Sequence, residues 1–208
     1  MTGKGSLNHN SRKFHAKNTD PNRTHWNVEY CNEDIKDVYH ELFADALKRY
    51  NDKQTRKDRK IDDYYEKIRS GKQEKLFHEV ILQIGDKDNM GSETMEGQLA
   101  AKILDEYMKG FQERNPTLRV FAAHLHLDEA TPHLHIDFIP YVTGSKRGLD
   151  TRVSLKQALS SLGFKGGSRS ETELNQWVQS EKQKLAMVMR ENEIEWDQKG
   201  THEQHLSV

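Results

Sequence analysis

Four histidines lie close together in the second half of the chain. His124, His126, His133 and His135 fall within twelve residues. Imidazole nitrogens are common ligands of transition metals, and a site with three of them leaves positions open for water or a phosphate oxygen. Open sites of this kind are typical of catalytic metal centres. The cluster therefore predicts a catalytic metal site.

The spacing within the cluster selects three ligands. In a strand, residues two apart project from the same face, so His133 and His135 are neighbours there. Residues 128–132 (DEATP) have turn composition and predict an antiparallel strand pair. This pairing brings His126 across to the same ion. His124 shares a face with His126 and is the weaker candidate, so we predict the ligand set His126, His133 and His135.

The chemistry of the ligands narrows the choice of metal. Three imidazoles suit Mn²⁺, Co²⁺, Ni²⁺ or Zn²⁺ better than Mg²⁺, and from abundance in the cell we expect Mn²⁺. Asp128 and Glu129 lie in the turn beside the ligands, where a carboxylate can orient a ligand ring through its second nitrogen. We expect Glu129 to support a ligand in this way rather than bind the ion.

The elements that position these residues follow from hydrophobic periodicity. Strands are predicted at 24–30, 76–84, 119–127 and 133–141. Helices are predicted at 35–47, 51–75 (exposed), 93–111, 154–162 and 171–192. The irregular order of strands and helices favours an α+β fold with a central antiparallel sheet flanked by helices.

Composition fits one domain over residues 1–208. The single cysteine, Cys31, excludes an intrachain disulfide and a Cys-rich zinc site. Mean hydropathy is −0.97, and no apolar run approaches the roughly 20 residues of a membrane span. The N-terminus also lacks the apolar core of a signal peptide, so we expect a cytoplasmic protein.

The N-terminal segment is basic although the whole chain carries a net charge of −1. Residues 1–25 hold five cations against Asp20 alone, a charge of +4. We interpret residues 1–23 as an irregular basic arm that attracts phosphate. With little apolar surface to anchor it, the arm is expected to be mobile without DNA.

Three segments resemble a known family. Residues 126–135 (HLDEATPHLH) resemble the H-x-D-E-x-[ST]-P-H-x-H signature of the Mob/Pre (MobV) plasmid mobilization relaxases, which belong to the HUH endonuclease superfamily. HNSR at 9–12 is similar to the H-N-x-x-R-like first motif, and NRTHWN at 22–27 to an R-x-H-x-N segment. The resemblance spans roughly residues 7 to 195.

The resemblance implies metal-dependent nicking of one DNA strand at an origin of transfer. The strand is cut by transesterification, its 5′ phosphate is linked to the protein, and the strand is later rejoined. A first-motif histidine that serves as nucleophile maps onto His9, and Arg12 then faces the same phosphate. Many HUH enzymes use tyrosine, but Val28 holds the position where some relatives carry it. Tyr30, two residues further on, is the alternative nucleophile.

The expected substrate is single-stranded or hairpin DNA from an origin of transfer, with other mobilization or coupling proteins as further candidate partners. Basic loop side chains can contact phosphates, and an aromatic ring can stack on a base. The candidate DNA-binding residues are Lys13, Arg23, His25, Trp26, Asn27, Lys146, Arg147, Arg152, Lys165 and Arg169.

Two other functions remain open. A rolling-circle replication initiator or an HUH transposase would share the metal site. A non-catalytic DNA-binding module with a structural metal is less favoured, because structural sites are usually closed by four ligands. Relatives are usually longer than 208 residues, so we expect this chain to be the N-terminal part of a longer protein.

Overall fold

The centre of the fold is one antiparallel sheet. The computed structural model describes residues 2–3 and 6–196. Its strands are β1 (Thr2–Gly3), β2 (Val28–Asn32), β3 (His78–Gln83), β4 (Leu118–His126), β5 (His133–Val142) and β6 (Arg152–Val153). Its helices are α1 (Leu7–Asn10), α2 (Ile35–Asp52), α3 (Tyr64–Ser70), α4 (Met95–Lys109), α5 (Phe111–Arg114), α6 (Leu155–Ser161) and α7 (Glu173–Glu191). The strand order is β1-β3-β5-β4-β2, with β6 paired to β5.

The two faces of the sheet differ in chemistry because side chains alternate along each strand. On β5, Leu134, Ile136 and Phe138 pack into the apolar cluster that contains residues of α4 to α7. His133 and His135 project from the other face, where α2 and α3 cover the far end of the sheet. The histidines therefore lie on the part of this face that α2 and α3 leave free.

The predicted strands at 76–84, 119–127 and 133–141 are confirmed, as are the helices at 93–111, 154–162 and 171–192. Side-chain caps start the longer helices. Thr94 accepts a hydrogen bond from the Gly97 N–H at the start of α4, and Thr172 accepts from the Asn175 N–H at the start of α7. The α+β architecture expected from the sequence is confirmed.

The single exposed helix predicted for 51–75 is wrong. Within that range, α3 and a short 3₁₀ turn at Lys57–Arg59 are helical. The side chain of Asn51 accepts from the Ile61 N–H and donates to the Ile61 carbonyl, so the chain turns back after α2. Ile61 and Tyr64 then enter the apolar cluster around Phe43. Burial of a few apolar residues overrode the helical propensity of the charged ones.

Residues 24–30 also differ from the predicted strand. Thr24–Trp26 forms a 3₁₀ turn, and the strand begins at Val28. The side-chain oxygen of Asn27 accepts from the backbone N–H groups of Leu127 and Asp128. Since Asn27 ties this turn to the end of β4, strand pairing starts one residue later.

The N-terminal arm lies against the sheet, and the mobility expected of it without DNA stays a prediction. His9 and Asn10, on α1, are buried against the histidine face. Polar contacts, chiefly the ion pair of Arg12 with Asp128, anchor the arm together with Leu7, which packs against the apolar cluster of α2 and α3. No helix in the described part of the chain is long and apolar enough to cross a bilayer.

Candidate metal centre and active site

The pairing of β4 with β5 brings the three predicted ligands together. His126 is directly opposite His133 in the ladder, and His135 follows two residues later on the same face. Nδ1 of His126 lies 3.3 Å from Nε2 of His133. One ring nitrogen from each of the three residues lies within 4.8 Å of the others. Metal–nitrogen bonds of about 2.1 Å at tetrahedral angles place nitrogens about 3.4 Å apart, so the cluster fits one ion.

Hydrogen bonds to the outer nitrogens fix the tautomer of each ring. Nε2 of His126 donates to the Asn10 carbonyl, and Nδ1 of His133 to the Thr131 carbonyl, both at 2.8 Å. Nδ1 of His135 donates to Glu79 at 2.8 Å. These oxygens only accept, so the inner nitrogens carry the lone pairs. Nε2 of His135 is buried and has no hydrogen-bond partner among the described residues, as a free ligand nitrogen requires.

The electrostatics keep the rings of His126 and His133 neutral. Burial, followed by the charges of the neighbouring histidines, holds the pKa of His126 far below its ordinary value. Burial and the charge of His135 lower the pKa of His133 to about 4. Neutral imidazole is the metal-binding form, so these two ligands are prepared to bind a cation at neutral pH.

The guanidinium of Arg12 donates hydrogen bonds to other groups of the protein. Its Nε and Nη2 donate to the two oxygens of Asp128 at 2.9 and 2.6 Å, and Nη2 also donates to Glu129 at 2.8 Å. Nη1 donates to the His9 carbonyl at 2.9 Å. The expected fork of free donors toward a phosphate is therefore not what the structure shows. Arg12 fastens the segment that carries His9 to the turn between β4 and β5.

Glu129 lies beside His9 rather than behind a ligand ring. Its Oε1 is 3.3 Å from Nε2 of His9 and 3.6 Å from Nε2 of His133, the inner nitrogen of that ring. The expectation that Glu129 orients a ligand through its second nitrogen is wrong, because the Thr131 carbonyl, the Asn10 carbonyl and Glu79 fill that role. Burial would raise the pKa of Glu129, but His9, His133 and Arg12 together lower it to about 2.

His124 lies next to the triad and turns away from it. Its Nε2 is 3.3 Å from Glu29 on β2, toward the edge of the sheet. Burial lowers its pKa, although Glu29 opposes the shift. In the described residues it joins no group of converging ligand atoms. This placement agrees with its lower rank as a ligand.

Tyr30 lies on the opposite face of the sheet. It packs against the cluster that contains α4, and its hydroxyl donates to Asp105 on that helix at 2.8 Å. Burial and Asp105 raise its pKa well above the ordinary value, which disfavours the phenolate. The structure does not bring Tyr30 to the histidine triad.

The candidate DNA-binding residues near the arm fall into two groups. Arg23 donates to Asp20 and to the carbonyls of Leu127 and Glu129. The side-chain oxygen of Asn27 accepts from the Leu127 N–H. Both side chains thus have structural partners within the protein, and their contacts with DNA stay predictions. Lys13, His25 and Trp26 are exposed.

The other five candidates are not brought to the triad. Lys146, Arg147 and Arg152 follow the far end of β5, and at about 3.3 Å per residue that end is roughly 20 Å from His135. Lys165 and Arg169 lie in the α6–α7 connection, on the helical layer behind the sheet. Contacts of these five with DNA stay predictions.

Sequence reasoning gave no role to three buried polar residues: Asn10, which lies in the first motif, Glu79 and Asp137. Glu79 and Asp137 are paired across β3 and β5, and Asn10 donates to both. A signal was present, because a carboxylate interrupts the apolar strand LFHEVILQI and another the strand HLHIDFI. A charged residue in such a strand is rarely buried without a partner.

Comparison with known proteins identifies the family. The sequence model of the plasmid recombination enzymes, Mob_Pre, matches residues 5–193. The chain belongs to this family. The resemblance seen in its motifs is thereby confirmed. A similar protein, a plasmid recombination enzyme from Streptococcus agalactiae, is 24% identical over 159 residues, which are 73% of this chain and 28% of that protein. The chain thus spans less than a third of this relative's length.

Solved structures of the Mob_Pre family share the fold. Two are Mn-bound crystal structures of the MobM relaxase domain (MOBV) with plasmid pMV158 oriT DNA of 22 nucleotides, at pH 5.5 and pH 4.6. Both are 23% identical and cover 97% of this chain and 86% or 87% of theirs, with TM-scores of 0.52 and 0.53. This likeness confirms the antiparallel sheet flanked by helices.

Proposed function

We propose that this chain is a single catalytic domain of a plasmid mobilization relaxase. It nicks one strand at an origin of transfer and keeps the 5′ phosphate covalently bound until the strand is rejoined. One observation carries the proposal: the inner nitrogens of His126, His133 and His135 converge beside the ring of His9. A nucleophile next to an open three-histidine site is the arrangement that metal-assisted phosphodiester cleavage needs.

The ion that fits best is Mn²⁺. The MobM relaxase structures are Mn-bound, and the donor set of three imidazoles also suits Co²⁺, Ni²⁺ or Zn²⁺ better than Mg²⁺. When bound, a divalent ion polarises the phosphate and stabilises the leaving oxygen. It would also offset the surrounding carboxylates of Glu79, Asp128 and Glu129, which Arg12 alone balances only in part.

His9 is the proposed nucleophile. Nδ1 of His9 is buried and has no hydrogen-bond partner in the described part of the chain. Glu129 is placed to accept from the Nε2–H, which leaves the Nδ1 lone pair free. Nη1 of Arg12 also lies 3.2 Å from the same Nε2 and keeps a second N–H after its bond to the His9 carbonyl, so we assign the tautomer with Nε2–H to the reactive state. In this tautomer the attack goes through Nδ1, whose lone pair is free.

The proposed cleavage is a displacement at phosphorus. A bond forms between Nδ1 of His9 and phosphorus, the bond from phosphorus to the 3′ oxygen breaks, and that oxygen takes a proton from water. The imidazole gains positive charge as it attacks. Because its pKa is about 2, Glu129 stays ionised at neutral pH and stabilises that charge rather than removing the proton. The reverse attack by the 3′ hydroxyl rejoins the strand.

The proposed substrate is single-stranded or hairpin DNA from an origin of transfer, and the MobM structures contain oriT DNA. Lys13, His25 and Trp26 are exposed beside the arm and can contact it. An enzyme that acts on plasmid DNA works in the cytoplasm, and other mobilization or coupling proteins are its candidate partners. Membership of the Mob_Pre family favours mobilization over replication initiation or transposition.

The test is a covalent adduct. The protein is incubated with Mn²⁺ and a labelled library of single-stranded oligonucleotides, and the attached residue is mapped by mass spectrometry. We expect an acid-labile adduct, since phosphoramidates hydrolyse in acid. It should be lost in His9→Ala and kept in Tyr30→Phe.

His15→Ala is the matched control, because His15 is an exposed histidine of the same arm. An acid-stable adduct that disappears only in Tyr30→Phe would assign the nucleophile to Tyr30. A protein that binds metal and DNA but forms no adduct with any oligonucleotide would instead be a non-catalytic DNA-binding module.

A further inference from the structure

Asn10 connects the arm to the sheet beneath it. It is buried at the end of α1, one residue after His9. Its Nδ2 donates to Glu79 at 2.9 Å and to Asp137 at 3.1 Å. A side-chain amide has two N–H donors, so both are used on this pair of carboxylates. Both amide protons are thus committed to β3 and β5.

Asn10 also takes part in the hydrogen bonds that orient two ligand rings. Its carbonyl accepts from Nε2 of His126 at 2.8 Å. The Glu79 oxygen to which its amide donates also accepts from Nδ1 of His135. Because His9 is adjacent in the chain, the position of His9 is tied directly to two of the three ligands.

An uncharged donor suits this location. Asp137 is fully buried, and its Oδ1 has no partner within the described residues. Lysine or arginine here would pair with the carboxylates but would place a positive charge beside a cation site. An amide gives the two donors without that charge.

We propose that Asn10 is a positioning residue, which holds His9 next to the metal ligands by bridging Glu79 and Asp137 and by accepting from His126. The effect of Asn10 on catalysis rests on the proposed function. The triad itself depends on the β4–β5 ladder, which does not include the arm. A four-residue helix such as α1 is not stable alone, so it needs these contacts to keep its place.

The experiment compares Asn10→Ala with Asn8→Ala. Asn8 is the matched control, since it is an exposed asparagine on the same helix. Three quantities are measured in the full chain: the Mn²⁺ affinity by calorimetry, the acylation rate of His9 by diethyl pyrocarbonate with mass-spectrometric mapping, and the kinetics of adduct formation. Acylation needs no cleavage reaction, so it reports on Asn10 even if the proposed function fails.

We expect Asn10→Ala to raise the acylation rate of His9 at least tenfold and to lower kcat for adduct formation about 100-fold, the cost of a misplaced reacting group. KM and Mn²⁺ affinity should change less than threefold. Asn8→Ala should match the wild type. Absence of any adduct with the wild-type protein would overturn the proposed function, not the placement of His9.

Two results would overturn the positioning role. One is an unchanged acylation rate and kcat in Asn10→Ala. The other is a loss of Mn²⁺ affinity as large as the loss of kcat, which would mean that Asn10 acts only through the ligands. If Asn10→Ala does not fold, Asn10→Ser retains one donor and should give intermediate values, and wild-type values there would also overturn the proposal.

Discussion

His135 and Glu79 form a hydrogen bond of 2.8 Å between neighbouring strands, from Nδ1–H on β5 to Oε1 on β3. Since the imidazole has two nitrogens, this bond leaves Nε2 of His135 free to face the other ligands. Burial would raise the pKa of Glu79, but the contacts with His135 and Asn10 hold it below the ordinary value. Glu79 is thus an anion that orients a metal ligand and strengthens it as a donor.

Glu79→Gln should weaken Mn²⁺ binding by about 10–100-fold, because a neutral amide supports the His135 ring less well than a carboxylate. Calorimetric titration of the metal-free protein measures the change. Glu113→Gln removes an exposed carboxylate on α5 and should leave the affinity unchanged. Equal affinities for Glu79→Gln and the wild type would mean that Glu79 is only a structural partner.

The ligand assignment predicts different results for two adjacent histidines on this face. His135→Ala removes a converging nitrogen and should abolish tight Mn²⁺ binding and nicking with the fold retained. His124→Ala should keep most of the affinity, since His124 faces Glu29. The circular dichroism spectrum and calorimetry of each variant separate misfolding from ligand loss. A larger effect at His124 would move the site toward β2.

The triad was predictable because its geometry is local. His133 and His135 share one strand, and a short turn brings His126 opposite them. The alternation of side chains along the two strands and the turn between them are therefore enough to predict the ligand set. Glu79 lies 56 residues before His135 in the chain. The local sequence does not determine which strand lies beside β5. The hydrogen-bond partner of His135 was therefore not predictable from residue spacing.

The arm shows a second limit. Its lack of apolar residues suggested mobility, but Arg12 and Asn10 anchor it through buried polar contacts with Asp128 and Glu79. Whether an arginine donates to a phosphate or to a carboxylate depends on the fold around it. Sequence therefore indicated the residue types of the site, while tertiary structure decided how each is used.

His78 makes the metal-free protein sensitive to acid. Burial, with a smaller contribution from Lys75, lowers its pKa from 6.5 to about 4. Between these values the unfolded chain binds a proton at His78 and the folded chain does not. The free energy of unfolding therefore falls as pH falls from 6.5 to 4, with a limiting slope of about 1.4 kcal/mol per pH unit for each such histidine.

Urea denaturation of the metal-free protein between pH 7 and pH 4.5 measures this slope. His133, whose pKa is also about 4, contributes in the same window. His78→Phe keeps a ring against Phe138, on which His78 is stacked, and removes one titrating group. The variant should show a smaller loss of stability with acid. Identical slopes for the variant and the wild type would assign the acid sensitivity to other groups.

Arg12 controls the local stability of the arm. Its side chain is 8% exposed, and that of its partner Asp128 is fully buried, so removing the guanidinium leaves an uncompensated buried carboxylate. Such a loss costs about 3 kcal/mol or more, equivalent to a roughly 100-fold larger population of the detached arm.

Hydrogen exchange of the Asn10 and Ser11 amides, which donate within α1, measures this opening. Arg12→Ala should accelerate their exchange about 100-fold, and Arg12→Lys should give an intermediate rate because one ammonium cannot replace a fork that bridges both Asp128 oxygens. Lys13→Ala removes an exposed neighbouring cation and should leave the exchange rates at the wild-type level. Similar rates in Arg12→Ala and Lys13→Ala would show that the arm is held without the Arg12–Asp128 pair.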